Sequence, residues 1–205
     1  MKVTLINTSD AGGGAPAACM RLLKALALKQ VDVAMAVQQK KTAEVRVQSV
    51  TGSKTGRINF FRERLPFMFF YEKDKSVRFA FSTANAGNDI AAEAIIDNAD
   101  VLHLNWTNAG FQSINNLKQL FALNKPVVWT LHDMWAFTGG CHYSGGCDHF
   151  VNQCGNCWML RKPHKNDLSH TGWLNKFSML DEAKNLTIVT CSNWLGNMAR
   201  QSSLL

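Results

Sequence analysis

This 205-residue sequence predicts an α/β domain, a parallel sheet covered by helices on both faces. Three observations carry the prediction. Short runs rich in β-branched residues recur along the chain, and most are followed by a segment of helical periodicity. The runs are apolar at nearly every position, as strands buried on both faces require. The alternation of the two types is the signature of a parallel sheet with crossover helices.

The first run, Val3 to Asn7, leads through a glycine-rich turn into a helix expected over Ala15 to Lys29. Further strands are expected at Val31 to Val37, Val45 to Val50, Asp100 to Leu104, Pro126 to Leu131 and Leu186 to Cys191. Helical patterns lie at Asp89 to Asn98, Gln112 to Asn124, Asn175 to Lys184 and Trp194 to Ser203. The layout is Rossmann-like and reads as one domain over residues 1–205. Two stretches interrupt it: a basic aromatic segment, Arg57 to Phe81, and a cysteine-rich loop with its extension, Asp133 to Gly172. Neither has a disordered composition, and long ordered loops in compact domains are usually functional.

A hydrophobic content of 46% suffices for a core, and a formal net charge of +7 favours anionic partners: nucleic acid, an acidic membrane surface or phosphorylated small molecules. No stretch approaches the ~20 apolar residues of a membrane helix, and the N-terminus lacks the apolar core of a signal peptide. A cytoplasmic protein is therefore expected. In that reducing compartment its six cysteines would be thiols or metal ligands.

Four of them, Cys141, Cys147, Cys154 and Cys157, fall in the run GGCHYSGGCDHFVNQCGNC. A thiolate quartet closing with C-x-x-C can hold a tetrahedral zinc, whose role would be structural because no coordination position stays open. The alternative is a set of buried reduced thiols. The loop follows the strand that ends in WTLHD, and ligands of open α/β sheets bind beyond the carboxyl ends of strands. His132 and Asp133 stand there. The preceding strand ends in His103, Leu104, Asn105 and Trp106, so two strands deliver polar groups and an indole to one rim, with Trp135 nearby. An imidazole in that place can exchange a proton or bond a polar ligand, and indoles stack on sugar rings. Gly12, Gly13 and Gly14 open the first helix, whose free N–H groups can receive a phosphate. The G-x-G-x-x-G pattern is not met, and the second strand is followed by Gln38, Gln39, Lys40 and Lys41 where a dinucleotide fold would place an acid. A nicotinamide-dependent enzyme is disfavoured.

The segments VVWTLHDMWAFTGGCHYSGGCDHFVNQCGNC, DVLHLNW and TIVTCSNWLGNMARQSSLL together resemble the N-terminal half of a bacterial glycosyltransferase of family 4, in particular members that build cell-surface polysaccharide. The resemblance implies the GT-B architecture, with the acceptor mainly on the first Rossmann-like domain and the nucleotide-sugar donor mainly on the second. It implies sugar transfer to a growing glycan with retention and without a required catalytic cofactor. It assigns His132 to the histidine that reaches the donor sugar, and Gly12 to Gly14 to the loop near the donor diphosphate and acceptor. The family's paired glutamates find no match, since no glutamate here has another eight positions on. The donor-binding domain is accordingly expected to be absent from this chain, and the isolated half inactive. Asn105 stands where relatives often carry a second histidine.

Within Arg57 to Phe81, Arg57, Arg62, Arg64, Lys73, Lys75 and Arg78 alternate with Phe60, Phe61, Phe67, Phe69, Phe70 and Tyr71. That mixture suits a peripheral contact at the inner face of the membrane, where lipid-linked glycan acceptors reside. A helix packing its phenylalanines on the sheet fits it equally well. No recognised nucleic-acid module matches, so nucleic acid is not an expected partner. The rival reading is a non-catalytic, zinc-stabilised α/β module that binds a membrane or nucleic acid.

Overall fold

The computed structural model describes residues 1–205. Six strands form one sheet: β1 (Lys2–Ser9), β2 (Asp32–Gln39), β3 (Val47–Ser49), β4 (Val101–Leu104), β5 (Val127–Leu131) and β6 (Leu186–Thr190). Every pairing is parallel and the order is β3-β2-β1-β4-β5-β6. The predicted Rossmann-like α/β fold is therefore present. Winding runs outward from β1 to β3 and then returns to β4, so a crevice opens where β1 and β4 end side by side.

Helix α1 (Gly14–Leu28) covers one face, setting Cys19 and Leu23 against Leu5, Met35 and Val37. The opposite face carries α3 (Ala94–Asp97), α4 (Ile114–Phe121), α5 (Leu168–Asp181) and α6 (Asn193–Gln201) over Ile6, Leu104, Trp129 and Leu131. This cover is uneven. The row of paired residues Met35, Leu5, His103, Val128 and Thr187 is buried and apolar under α1 and becomes half-buried at His103 and Val128 and exposed at Thr187.

Some boundaries move for local reasons. Of Asp89 to Asn98 only the single turn Ala94–Asp97 is helical. Helix α5 begins seven residues before the expected Asn175, because the Asp167 carboxylate caps it by accepting the N–H groups of Ser169 and His170. The same carboxylate accepts the Cys157 N–H at 2.8 Å, which fastens the cysteine-rich run to the helix. Gly139 and Gly172 allow the close approach: a Cβ on Gly172 would lie 2.0 Å from the Gly139 carbonyl oxygen.

The segment taken as an interruption contains a further helix, α2 (Ser53–Pro66), continued by a π-turn, Phe67–Tyr71. Periodicity does not reveal it because its polarity is inverted. It buries Gly56, Asn59, Glu63 and Arg64 and exposes Ile58, Phe61 and Leu65. The buried groups are bonded: Glu63 accepts the N–H of Gly110 at 2.7 Å and of Ala84 at 3.3 Å, and Arg64 donates to the carbonyls of Arg78 and Phe81. Arg64 is thus an interior strut, not a membrane-facing cation. Phe67 is likewise core, stacked on Phe81 with ring centroids 5.1 Å apart.

Lys176 on α5 is fully buried, and its ammonium donates to the carbonyls of Trp135 and Thr138 while lying 3.8 Å from the Trp135 ring centroid. Burial pulls its pKa down to about 7 against attraction from Cys141, Cys154 and Asp133. The unfolded chain, with an ordinary lysine, binds a proton that the native state lacks between about pH 7 and the usual 10.5. Native stability is therefore expected to rise with pH between 7 and 9. Urea melts of the native protein and Lys176→Met between pH 7 and 9 check this: the variant should lose the upward slope, and equal slopes would refute the assignment.

Candidate active site

The crevice at the ends of β1 and β4 is a cleft of about 500 Å³ lined by Gly12, Gly13, Gly14, Lys41, Trp106, His132, Asp133 and Tyr143, among others. The glycine turn reaches it because Gly12 and Gly13 take φ of 92° and 150°, where a side chain would strain the backbone. Helix α1 starts there with no side-chain cap and no acid in its first turn. Its free N–H groups and the positive end of its dipole therefore face the cleft.

His132 follows the last residue of β5. Its Nε2 lies 3.1 Å from Asn105 Oδ1, and the Asn105 amide donates in turn to the His103 carbonyl at 3.3 Å. That second bond orients the amide with its oxygen toward His132, so Nε2 carries the proton and the lone pair of Nδ1 is left for a ligand. Burial lowers the His132 pKa, partly offset by Asp133, so the ring is neutral at pH 7.

Asp133 is the polar centre of the wall. It accepts the His142 ring at 2.7 Å, the Trp135 N–H at 2.8 Å and the Trp106 indole at 3.0 Å. Burial pushes its carboxyl up, but these bonds together outweigh burial and hold it below the usual range. His142 continues to Ser82 Oγ at 2.9 Å. This serine–imidazole–carboxylate chain has the order of a nucleophile relay, yet Ser82 is only 3% exposed and does not line the cleft. It works as a latch.

The structure gathers Gly12, Gly13, Gly14, Trp106, His132 and Asp133 and separates three other expected residues from them. Asn105 is buried at 4% exposure and acts on the cleft only through His132. His103 bonds Thr130 across the sheet at 2.8 Å and does not line the cleft. Trp135 is 2% exposed, with its indole bound to the Ser82 carbonyl at 2.9 Å, so it offers no stacking face. That face comes from Tyr143, which stacks on Trp194 with centroids 6.3 Å apart; both rings are more than half exposed. Their position in the rim had no signal in the sequence beyond aromatic identity. Lys41 is a further cleft residue not anticipated.

Cys141, Cys147, Cys154 and Cys157 all border one void of about 20 Å³ beneath the loop. A backbone N–H points at one of the sulfurs, that of Gly139 at Cys154, 3.1 Å away. The four are free thiols, and no three His, Cys, Asp or Glu side chains are drawn into a closed metal-holding set.

Comparison with known proteins gives one partial likeness. The chain is 36% identical over 75 residues to a putative colanic acid biosynthesis glycosyl transferase, WcaC, of Escherichia coli (strain K12). The match spans 34% of this chain and 18% of that protein. No family model matches, and no solved structure does. At the coarse level the likeness supports a glycosyltransferase-like role.

Proposed function

We propose that this chain is the acceptor-side half of a retaining glycosyltransferase of the family 4, GT-B kind, which moves a sugar from a nucleotide-sugar to a growing surface glycan. The carrying observation is the convergence of an uncapped helix start, a neutral histidine and exposed aromatic faces on one cleft at the switch point of a parallel sheet. The partial likeness to WcaC supports the same reading. In this reading the glycine turn receives the diphosphate, Tyr143 and Trp106 flank sugar rings, and the Nδ1 atom of His132 accepts a hydrogen bond from a sugar hydroxyl. The donor is held mainly by a second domain, and the half-cleft alone does not turn over, because catalysis needs both reactants positioned together.

His132→Ala is expected to lower transfer in the two-domain enzyme by roughly 100-fold while leaving the fold intact. Because the folded pKa lies below the usual 6.5, wild-type activity should hold through pH 6.5 and fall only at lower pH, as His132 takes a proton. Radiolabelled sugar transfer across pH, corrected for donor hydrolysis, tests both. A fully active variant with the wild-type acid limb would remove His132 from the mechanism.

A peripheral membrane contact belongs to the proposal, and the inverted helix supports it. On the outer face of α2 and its π-turn, Ile58, Phe61, Phe69 and Phe70 are exposed beside Arg57 and Arg62, while no helix is long and apolar enough to cross a membrane. Vesicles containing anionic lipid should sediment the protein, and Phe69→Ser/Phe70→Ser should release it without lowering Tm. Retention of that variant would place the contact elsewhere.

A structural zinc in the cysteine quartet is also proposed. Four cysteines bordering a void with room for about one atom, and an N–H aimed at the Cys154 sulfur, support it. Closing on the ion requires the cysteine side chains to turn inward. Protein purified without chelator should carry near one zinc per chain, and Cys154→Ser should lower both zinc content and Tm. Metal-free protein of unchanged stability would refute the site.

A further inference from the structure

A second depression joins the glycine cleft through two shared residues, Gln39 and Lys41. It measures about 460 Å³ and no hydrophobic residue lines it. Lys40, Lys41 and Arg57 project into its walls, and none of the three forms an ion pair. The nearest acids are already engaged. Asp10 accepts the N–H groups of Lys41 and Thr42 and the Thr42 hydroxyl, and Glu44 pairs with Arg46. The start of α2 also faces this groove through Ser53, with no side-chain cap and no acid in its first turn. Three cations without an ion-pair partner and a helix start thus converge on one polar hollow, with Asp10 held on neutral donors as the neighbouring negative charge, which is the electrostatic description of a phosphate site.

Two further groups narrow the ligand. Gln38 is 4% exposed and lines the groove; its Nε2 is fixed on the Gly110 carbonyl at 2.9 Å, and its Oε1 has no partner. The Thr51 hydroxyl, also in the lining, is unpartnered as well. Both atoms are closed to solvent in this structure, so a ligand meets them only when the Gln38 and Thr51 side chains turn toward the groove. A buried acceptor left unmatched costs free energy that a ligand hydroxyl would then recover, and the threonine can donate to a phosphate oxygen. The set therefore suits a molecule carrying both phosphate and hydroxyl groups.

We propose that the groove of Lys40, Lys41 and Arg57 binds the phosphate of a phosphorylated sugar acceptor, whose reacting hydroxyl then extends into the glycine cleft beside His132. The acceptor role rests on the glycosyltransferase reading; the phosphate-sugar site does not. The phosphate can come from a soluble sugar phosphate or from a lipid-linked one, and the chemistry of recognition is shared.

Calorimetric titration of the chain with glucose 1-phosphate, glucose and inorganic phosphate tests the site. Glucose 1-phosphate should bind more tightly than either of the other two. Lys40→Ala/Arg57→Ala, which alters two exposed residues outside the glycine cleft, should weaken it about tenfold or more. Lys24→Ala/Lys29→Ala, which removes the same charge from the far half of α1, should leave it unchanged. A parallel flotation assay compares neutral vesicles with and without a polyprenyl diphosphate sugar. Retention lost in Lys40→Ala/Arg57→Ala identifies the lipid-linked source, whereas soluble binding alone identifies the free one. Equal weakening in both double variants would mean only general attraction to a basic protein. No weakening in Lys40→Ala/Arg57→Ala would put the anion at the glycine turn. Either result, or the absence of binding in the native protein, overturns the proposal. Loss of sugar transfer with binding intact would instead sink the glycosyltransferase reading and leave the groove standing.

Discussion

The carboxylate of Asp133 is the point on which the cleft wall depends. It sits just past the end of β5 and receives an indole from the end of β4, an imidazole from the cysteine-rich run and a backbone N–H from the following turn. Through His142 and Ser82 the chain of bonds reaches the strand-like segment after α2. A half-buried carboxylate with several donors is a costly group if any donor is removed, since the charge then stays without its partner. Four separate parts of the sequence are therefore fixed around one atom group, and His132 is held in place as its neighbour.

Buried charge recurs in the same role elsewhere. Lys176 ties α5 to the carbonyls of Trp135 and Thr138, and Glu63 with Arg64 ties α2 to the loops at Ala84, Gly110 and Phe81. Each bonds backbone of the segments that follow the strands and helices, outside the sheet ladder. Irregular backbone near the interior must find donors and acceptors from somewhere, and long charged side chains supply several at once. The loops beyond the strand ends gain fixed positions in this way. A site made of loop residues needs that rigidity, because small displacements of the binding groups cost much of their effect.

The interior demands on α2 also explain its outer face. With Asn59, Glu63 and Arg64 turned inward to serve the loops, the apolar residues of the helix have only the outside left. Inversion of this sort is unfavourable in water and calls for a partner surface. The first turn of the same helix closes the polar groove of Lys40 and Arg57. One helix thus joins an apolar outer stripe to a cationic hollow and, through Lys41, to the glycine cleft.

The fold class was legible in the amino-acid order, because apolar runs followed by helical periodicity depend on neighbours in the chain. All six strands and α1, α4 and α6 follow from that local code within a few residues. It also determined the chemistry delivered to the rim, since the residues after a strand must emerge at its carboxyl end; His132, Asp133, Trp106 and the glycine turn were legible for that reason. Side-chain direction and long-range bonding were not. Trp135 and Asn105 belong to the same motifs as their neighbours, yet packing turned them inward, and His103 was spent on Thr130. The alternative of a helix in Arg57 to Phe81 holds for α2, but not with its phenylalanines on the sheet, because partners 14 to 47 residues away bury its polar face instead. The polar groove was present in the sequence only as the missing acid after β2. Tertiary structure made it a site by bringing Arg57 to Lys40, a meeting that no local pattern encodes.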